Sequence, residues 1–404
     1  MRRKALEFSD LLQAKEKLID VFSCEEEISS NDVNVIASPY RICPLGAHID
    51  HQGGPVLGMT INACTLMAFY PSDDSFIKLR SKNYPGKVKF DLGDIPESTG
   101  SFWGGYPRAA ALALQEKYGV EKGVVGLLDG MLPGCGLSSS ASILLAYLHA
   151  FAAANSIVLQ PWDYVHLTRR AENKYIGLNN GILDQASIVF GRRGHMLHID
   201  TKEEKVTRLP DRLGETHYRV LVAYSGYSRE LTTSGYNTRV DECRLAAKQL
   251  AHFAGSPPAQ VLSDVAQDVI TRYVDRLEPH LARRTKHFIT ESQRVIDGLE
   301  AWDKGAIEKF GQLMTESCKS SIEQYECGVQ AIHDLQQIVS SADGVLGSRF
   351  MGGGFGGCVV GFVKPSSATA ALEDIKASYQ KIHPEVADQA AVYLAQSDDG
   401  VRFI

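Results

Sequence analysis

Ten residues, Pro133-Gly134-Cys135-Gly136-Leu137-Ser138-Ser139-Ser140-Ala141-Ser142, run into an almost wholly apolar stretch, Ile143 to Ala154. Gly134 and Gly136 let the backbone turn tightly with its N–H groups exposed. Three hydroxyls, Ser138, Ser139 and Ser140, follow where a helix would begin. A helix N-terminus presents unpaired N–H donors and roughly half a positive charge, so it attracts phosphate. A serine placed there can cap the helix, bond a phosphate oxygen or hold a magnesium ion. The segment predicts a nucleotide site, although it is neither a Walker A loop nor part of a protein-kinase signature. The competing reading is a glycine turn with a serine-rich cap on a buried helix.

Three other segments weigh on the choice. Pro39 to Gly54 crowds Arg41, His48, Asp50 and His51 into a glycine-punctuated loop after a predicted strand, a density that core packing does not explain. Glu172, on a predicted helix, and Asp184, after the Gly181 turn, are two carboxylates that can converge on one site. One would bind a cation and the other would meet a reacting hydroxyl; taken singly, they read as a surface charge and an N-cap. Gly352-Gly353-Gly354-Phe355-Gly356-Gly357 satisfies Gly-x-Gly-x-x-Gly, but a β-like run follows it where a dinucleotide-binding fold needs a helix. Five glycines in six positions instead predict a backbone closing against a ligand or a partner domain.

These segments need elements to hold them. Strands are expected at Val33–Ala37, Met59–Tyr70, Val124–Leu128 and Arg219–Tyr224. Helices are expected at Tyr106–Tyr118, Tyr164–Tyr175, Gly181–Val189, Asn237–Ala254, Val261–Tyr273, Leu277–Lys304, Ala306–Ser320 and Ala368–Lys381. A boundary is placed in the charged, turn-rich stretch Asp200–Glu215, dividing the chain into residues 1–205 and 206–404, two α/β or α+β units. The net charge of −6 gives no support to nucleic-acid or membrane partners, and the longest apolar run is too short to span a bilayer. Eight scattered cysteines without a Cys-x-x-Cys pair, and a basic start that leads into no apolar core, make a cytoplasmic protein the expectation.

Together the motifs resemble the galactokinase branch of the GHMP superfamily. Pro39 to Gly54 is similar to its first signature, Pro133 to Ser142 to its phosphate loop and Gly347 to Phe362 to its third motif. Tyr236 to Cys243 is similar to the segment after its sugar-binding tyrosine. The resemblance implies an N-terminal α/β domain and a C-terminal ferredoxin-like domain with the site between them, and ATP and Mg2+ as cofactors. It implies that Gly134, Gly136, Leu137 and Ser138 to Ser140 cradle the triphosphate, with Trp103 and Tyr106 near the base. Ser140 and Glu172 would hold the metal, Asp184 and Arg41 would be catalytic, and Ala47, His48, Asp50, His51, Gly181, Tyr236, Gly353 and Gly354 would contact the substrate. Phosphoryl transfer of this kind is carried by positioning and electrostatics.

One departure bears on the substrate. Galactokinases carry an acidic residue where this chain has Ala47, and a tyrosine where it has His51. Losing the acid leaves a C6 hydroxyl without a partner, at a cost on the order of a kcal/mol, whereas a C6 carboxylate is relieved of repulsion. The strings around Ala47 and Asp184, with Leu231-Thr232-Thr233, are similar to galacturonokinases. The expected reaction is ATP-dependent 1-phosphorylation of D-galacturonate. Galactose is the alternative, and glucuronate or a non-catalytic sugar sensor stand behind it. His51, Arg108 and Arg229 are the candidate partners for the carboxylate.

Overall fold

The computed structural model describes residues 7–8, 10–96, 103–227 and 235–404. A first sheet contains β1 (Asn34–Ile42), β2 (Val56–Pro71), β3 (Phe76–Ser81), β4 (Lys87–Asp91), β5 (Val124–Gly130), β6 (His195–Asp200) and β7 (Lys205–Pro210). A second contains β8 (Arg219–Tyr224), β9 (Val345–Phe350), β10 (Cys358–Val363) and β11 (Ala391–Ala395), after which β12 (Arg402–Phe403) returns to the first sheet beside β1. Helices α1 (Leu11–Glu26), α2 (Gly105–Tyr118), α3 (Ser139–Ala154), α4 (Pro161–Arg170) and α5 (Leu183–Phe190) accompany the first sheet. Helices α6 (Tyr236–Phe253), α7 (Gln267–Tyr273), α8 (Pro279–Asp303), α9 (Ile307–Glu323), α10 (Gln330–Ser341) and α11 (Ala368–Ile382) accompany the second.

The first sheet runs β12-β1-β2-β5-β3-β4, with the β6–β7 hairpin joined to the start of β2. Its pairings are antiparallel except β3 with β5. Alternation along the strands sends side chains to opposite faces. Ile36, Met67, Phe69 and Leu128 pack with α2 and α3, while Val35, Ala37, Leu66, Ala68 and Leu127 pack against Leu18 and Phe22 of α1. Helix α3 is apolar on nearly every side because it is enclosed, and β5 leads through the phosphate loop directly into it. The second sheet has the order β11-β8-β10-β9, all antiparallel, which is the strand order of a ferredoxin-like βαββαβ unit with extra helices between its first two strands. No helix among the described residues is long and apolar enough to cross a membrane.

Three local expectations change. Val261–Tyr273 is not one helix. Asp264 Oδ2 accepts the N–H groups of Gln260 and Val261 (3.1 and 3.2 Å), and Gln52 Oε1 accepts that of Leu262 (3.2 Å). Such side-chain bonds compete with the helical ladder, and α7 starts only at Gln267. The helix expected over Tyr164–Tyr175 ends at Arg170 and widens into a π-helical turn, Ala171–Ile176, that carries Glu172. The charged stretch placed at the domain boundary contains β7, whose polar, half-exposed residues hide its strand character.

Candidate active site

A cavity of about 400 Å³ lies between the two sheets' units, lined by the phosphate loop, the loop after β1, the start of α5 and the turn between β9 and β10. Gly134 and Gly136 adopt φ of +76° and +78°, and Ser138 takes the left-handed conformation at +61° before α3 begins. A non-glycine residue there signals a conformation imposed by its surroundings. The Ser139 hydroxyl accepts the Gly134 N–H (3.1 Å), and the Leu137 carbonyl accepts the Arg41 N–H (3.2 Å). Gly134, Gly136, Ser138, Ser139 and Ser140 line the cavity; Leu137 is fully buried and ties the loop to β1. The Ser138 hydroxyl is buried with no hydrogen-bond partner among the described residues.

The opposite wall comes from the glycine-rich turn. A Cβ on Gly357, at φ +96°, would stand 2.5 Å from the Cys135 carbonyl, so glycine lets this turn lie directly on the phosphate loop. Gly353 lines the cavity, whereas Gly354 faces away and packs on Gly328. Trp103 and Tyr106 line the cavity where it is bounded by Tyr84 and Leu128, and the Trp103 indole N–H donates to the Pro85 carbonyl (3.1 Å).

At the loop's other end Arg41, nearly fully buried, places both Nε and Nη2 at 2.7 Å from Asp184 Oδ1. Its Nη1 is buried and has no partner among the described residues. Glu172 does not line the cavity but stands behind it. Its Oε2 accepts from Asn180 (2.7 Å) and Gln185, while Oε1 is buried with no hydrogen-bond partner among the described residues, and the Ser140 hydroxyl lies beside the carboxylate. Burial first, and the nearby Asp184 charge after it, push the Glu172 carboxyl up to about 7 against the opposing Asn180 hydrogen bond. An orphaned carboxylate oxygen next to a serine hydroxyl is a hard-oxygen pair that suits a divalent cation.

The third cluster gathers around Asp50, His48, Ala47 and Tyr236 on the cavity wall. Asp50 Oδ2 accepts the Leu183 N–H (3.2 Å), and a Cβ on Gly181 would collide with that carboxylate, so Gly181 makes room for Asp50 rather than lining the cavity itself. Burial, then Asp184, raise the Asp50 carboxyl to about 6. His48, at φ +63°, lines the cavity with its ring stacked on Tyr325 (4.7 Å, 11°). Ala47 and Tyr236 line it as well. The turn bearing Ala47 is held from α8: Glu291 Oε1 accepts the N–H groups of Gly46 (2.7 Å) and Ala47 (3.3 Å), and His287 Nε2 donates to the Ala47 carbonyl (3.0 Å).

His51 departs from expectation. It is absent from the cavity wall, lying behind Tyr325 with its Nε2 2.9 Å from the phenol oxygen. Because Gln52 Oε1 is occupied by the Leu262 N–H, the amide nitrogen donates to His51 Nδ1 (2.8 Å), which makes Nε2 the protonated nitrogen. Burial pushes its pKa down to about 3, so it supplies no positive charge to a substrate. Arg108 is not among the lining residues, and Arg229 and Leu231 to Thr233 lie outside the described residues. Sequence reasoning missed Glu291, His287, Tyr325 and Arg349, the last a buried guanidinium on the cavity wall. Only Arg349 had a local signal, standing three residues before the glycine run.

The family model for the GHMP kinases N terminal domain matches residues 105–192, and that for GHMP kinases C terminal matches residues 297–381. The chain is 40% identical over 400 residues to a galacturonokinase of Arabidopsis thaliana, covering 92% of this chain and 94% of that protein. It is 31% identical over 370 residues to a galactokinase of Roseiflexus, covering 91% and 92%. The crystal structure of Lactococcus lactis galactokinase complexed with galactose superposes with a TM-score of 0.87 at 29% identity, covering 97% of this chain and all of that one. Similarity of this extent, spanning both sheets and every segment of the cavity wall, makes the chain a member of the GHMP kinase family, in its galactokinase branch.

Proposed function

We propose that the protein transfers the γ-phosphoryl group of ATP to the C1 hydroxyl of D-galacturonate, giving galacturonate 1-phosphate. One observation carries the choice of sugar: position 47, on the cavity wall beside His48 and Asp50, bears a methyl group and no carboxylate. The 40% identity to the Arabidopsis galacturonokinase, above the 31% to the Roseiflexus galactokinase, supports the same choice.

In this reading Gly134, Gly136 and Ser138 to Ser140 bind the phosphates with backbone N–H groups and hydroxyls, Leu137 holds the loop in place, and Trp103 and Tyr106 flank the base. His48, Asp50 and Tyr236 orient the sugar, with Gly181 making room for the Asp50 carboxylate, Gly353 admitting close approach and Gly354 shaping the turn. Asp184 accepts the proton of the attacking hydroxyl. Arg41 holds Asp184 in place through its contacts at 2.7 Å, and its unpaired Nη1 is the donor for charge developing on the transferred group. Ser140 and Glu172 would hold Mg2+, which when bound neutralises phosphate charge. The buried Glu172 Oε1, left without a partner, fits that assignment. The eight cysteines are free thiols, which suits a reducing cytosol.

Galactose is the second reading, favoured by the galactose-bound Lactococcus lactis neighbour. A coupled ADP-release assay with galacturonate, galactose and glucuronate separates the three sugars, and 31P NMR of the product locates the phosphate on C1. Faster turnover of galactose than of galacturonate would overturn the proposal.

A further inference from the structure

Behind Ala47 two guanidinium groups share one carboxylate. Glu291 is fully buried; its Oε2 pairs with Arg294 Nε at 2.8 Å, and its Oε1 lies 3.7 Å from Arg349 Nη1. The same Oε1 holds the Gly46 and Ala47 N–H groups, which places Arg349 one oxygen away from the turn that carries Ala47. The flanking His287 adds no further positive charge: burial pushes it down to about 4 and it is neutral. The cluster therefore carries one excess positive charge, and Arg349 is the member of it that lines the cavity, at 1% exposure.

The donors of Arg349 are not exhausted. A guanidinium has five N–H bonds. Among the described residues three are used, by Nε to the Phe350 carbonyl (3.1 Å), Nη1 to the Ser317 hydroxyl and Nη2 to the Ser321 hydroxyl (3.4 Å). The Glu291 contact at 3.7 Å is too long to be a hydrogen bond. A buried cation with spare donors, facing a cavity from which the neighbouring acid has been removed, calls for an anion.

We propose that Arg349 pairs the C6 carboxylate of the uronic acid substrate, the substrate's charge standing where position 47 offers none. The inference rests on the galacturonate reading. It replaces His51 as the carboxylate partner, since that imidazole is uncharged and lies off the cavity wall.

The test compares galacturonate with galacturonamide, which has nearly the same shape without the charge, on the parent protein, Arg349→Met, Arg349→Lys and Arg294→Met. Melting curves report folding of each. The parent should favour the acid by on the order of 10- to 100-fold in kcat/KM, the range of a charge-assisted hydrogen bond. Arg349→Met should erase that ratio, chiefly by raising KM for the acid, while Arg349→Lys should keep part of it. Arg294 does not line the cavity; Arg294→Met frees Glu291 to neutralise Arg349 and should lower the ratio several-fold. If Arg349→Met fails to fold, Arg294→Met carries the test. An unchanged ratio in a folded Arg349→Met, or in Arg294→Met when the other does not fold, overturns the role of Arg349 alone. A parent protein that turns over neither compound overturns the galacturonate reading, and this inference with it.

Discussion

Glu291→Gln is the perturbation that the structure evaluates most fully. The carboxylate accepts from Gly46 and Ala47 and from the Ser317 hydroxyl (2.5 Å), and it balances Arg294 and Arg349. Removing one partner of a buried ion pair costs roughly 3–5 kcal/mol, because the other charge stays buried. The Gln carbonyl can still accept from Gly46, which returns about 1 kcal/mol, so the net loss is about 3 kcal/mol. For a chain of this size, losing about 2.1 cal/mol/K per residue on folding, that lowers the melting midpoint by roughly 3–4 °C. Function should suffer in a specific way: the turn carrying Ala47 and His48 loosens, so KM for the sugar rises while KM for ATP, bound at the phosphate loop, holds. Glu300→Gln on the same helix is the control. Glu300 is exposed and, among the described residues, pairs with Lys304 alone one turn on, an interaction of roughly 0.5 kcal/mol at most. Calorimetry and steady-state kinetics on both variants decide it. A Glu291→Gln protein that melts with the control, or that loses ATP and sugar affinity alike, refutes the clamp.

Ala47→Glu should cut kcat/KM for galacturonate by about 100-fold, since two carboxylates about 5 Å apart repel by roughly 3 kcal/mol at an effective dielectric of about 20; galactose should be spared, as kinetics on both sugars will register. Asp184→Asn should lower kcat by on the order of 10²- to 10⁴-fold with ATP affinity retained, measured by nucleotide titration. Asp50 is raised to about 6 because burial disfavours its anion, so below that pH it protonates and stops accepting from sugar hydroxyls. A pH profile of kcat/KM for the sugar should fall with unit slope below about pH 6, and a flat profile down to pH 5 would contradict this. Chelating Mg2+ should abolish turnover, and Glu172→Gln should raise the Mg2+ needed for half-activation at least about 10-fold, since it discards the one anionic donor assigned to the metal; an unchanged requirement removes Glu172 from that role.

What could be read beforehand divides along a physical line. The glycine–serine loop, the Arg41 loop and Asp184 were legible because their chemistry is written in contiguous residues, and helix α2 because its apolar spacing ends at Gly119. The partners of Glu291 were not: Gly46, Ser317 and Arg349 come from three separate stretches of chain, and no local pattern records that tertiary meeting. His51 read as a source of positive charge because residue type reveals ionisable groups but not the burial that neutralises them. The π-helical turn at Glu172 was invisible to a 3.6-residue periodicity, and β7 to a search for apolar strands, since both break the pattern that defines their class. Strand β12 joins the first sheet through only two residue pairs, Ile36 with Phe403 and Ala37 with Arg402, too short a run to announce itself.

The most direct measurement is the ratio of kcat/KM for galacturonate to that for galactose on the purified protein with ATP and Mg2+. The charge arrangement around Ala47 predicts a ratio well above one, with phosphate appearing on C1 of the uronate. A ratio below one would contradict it.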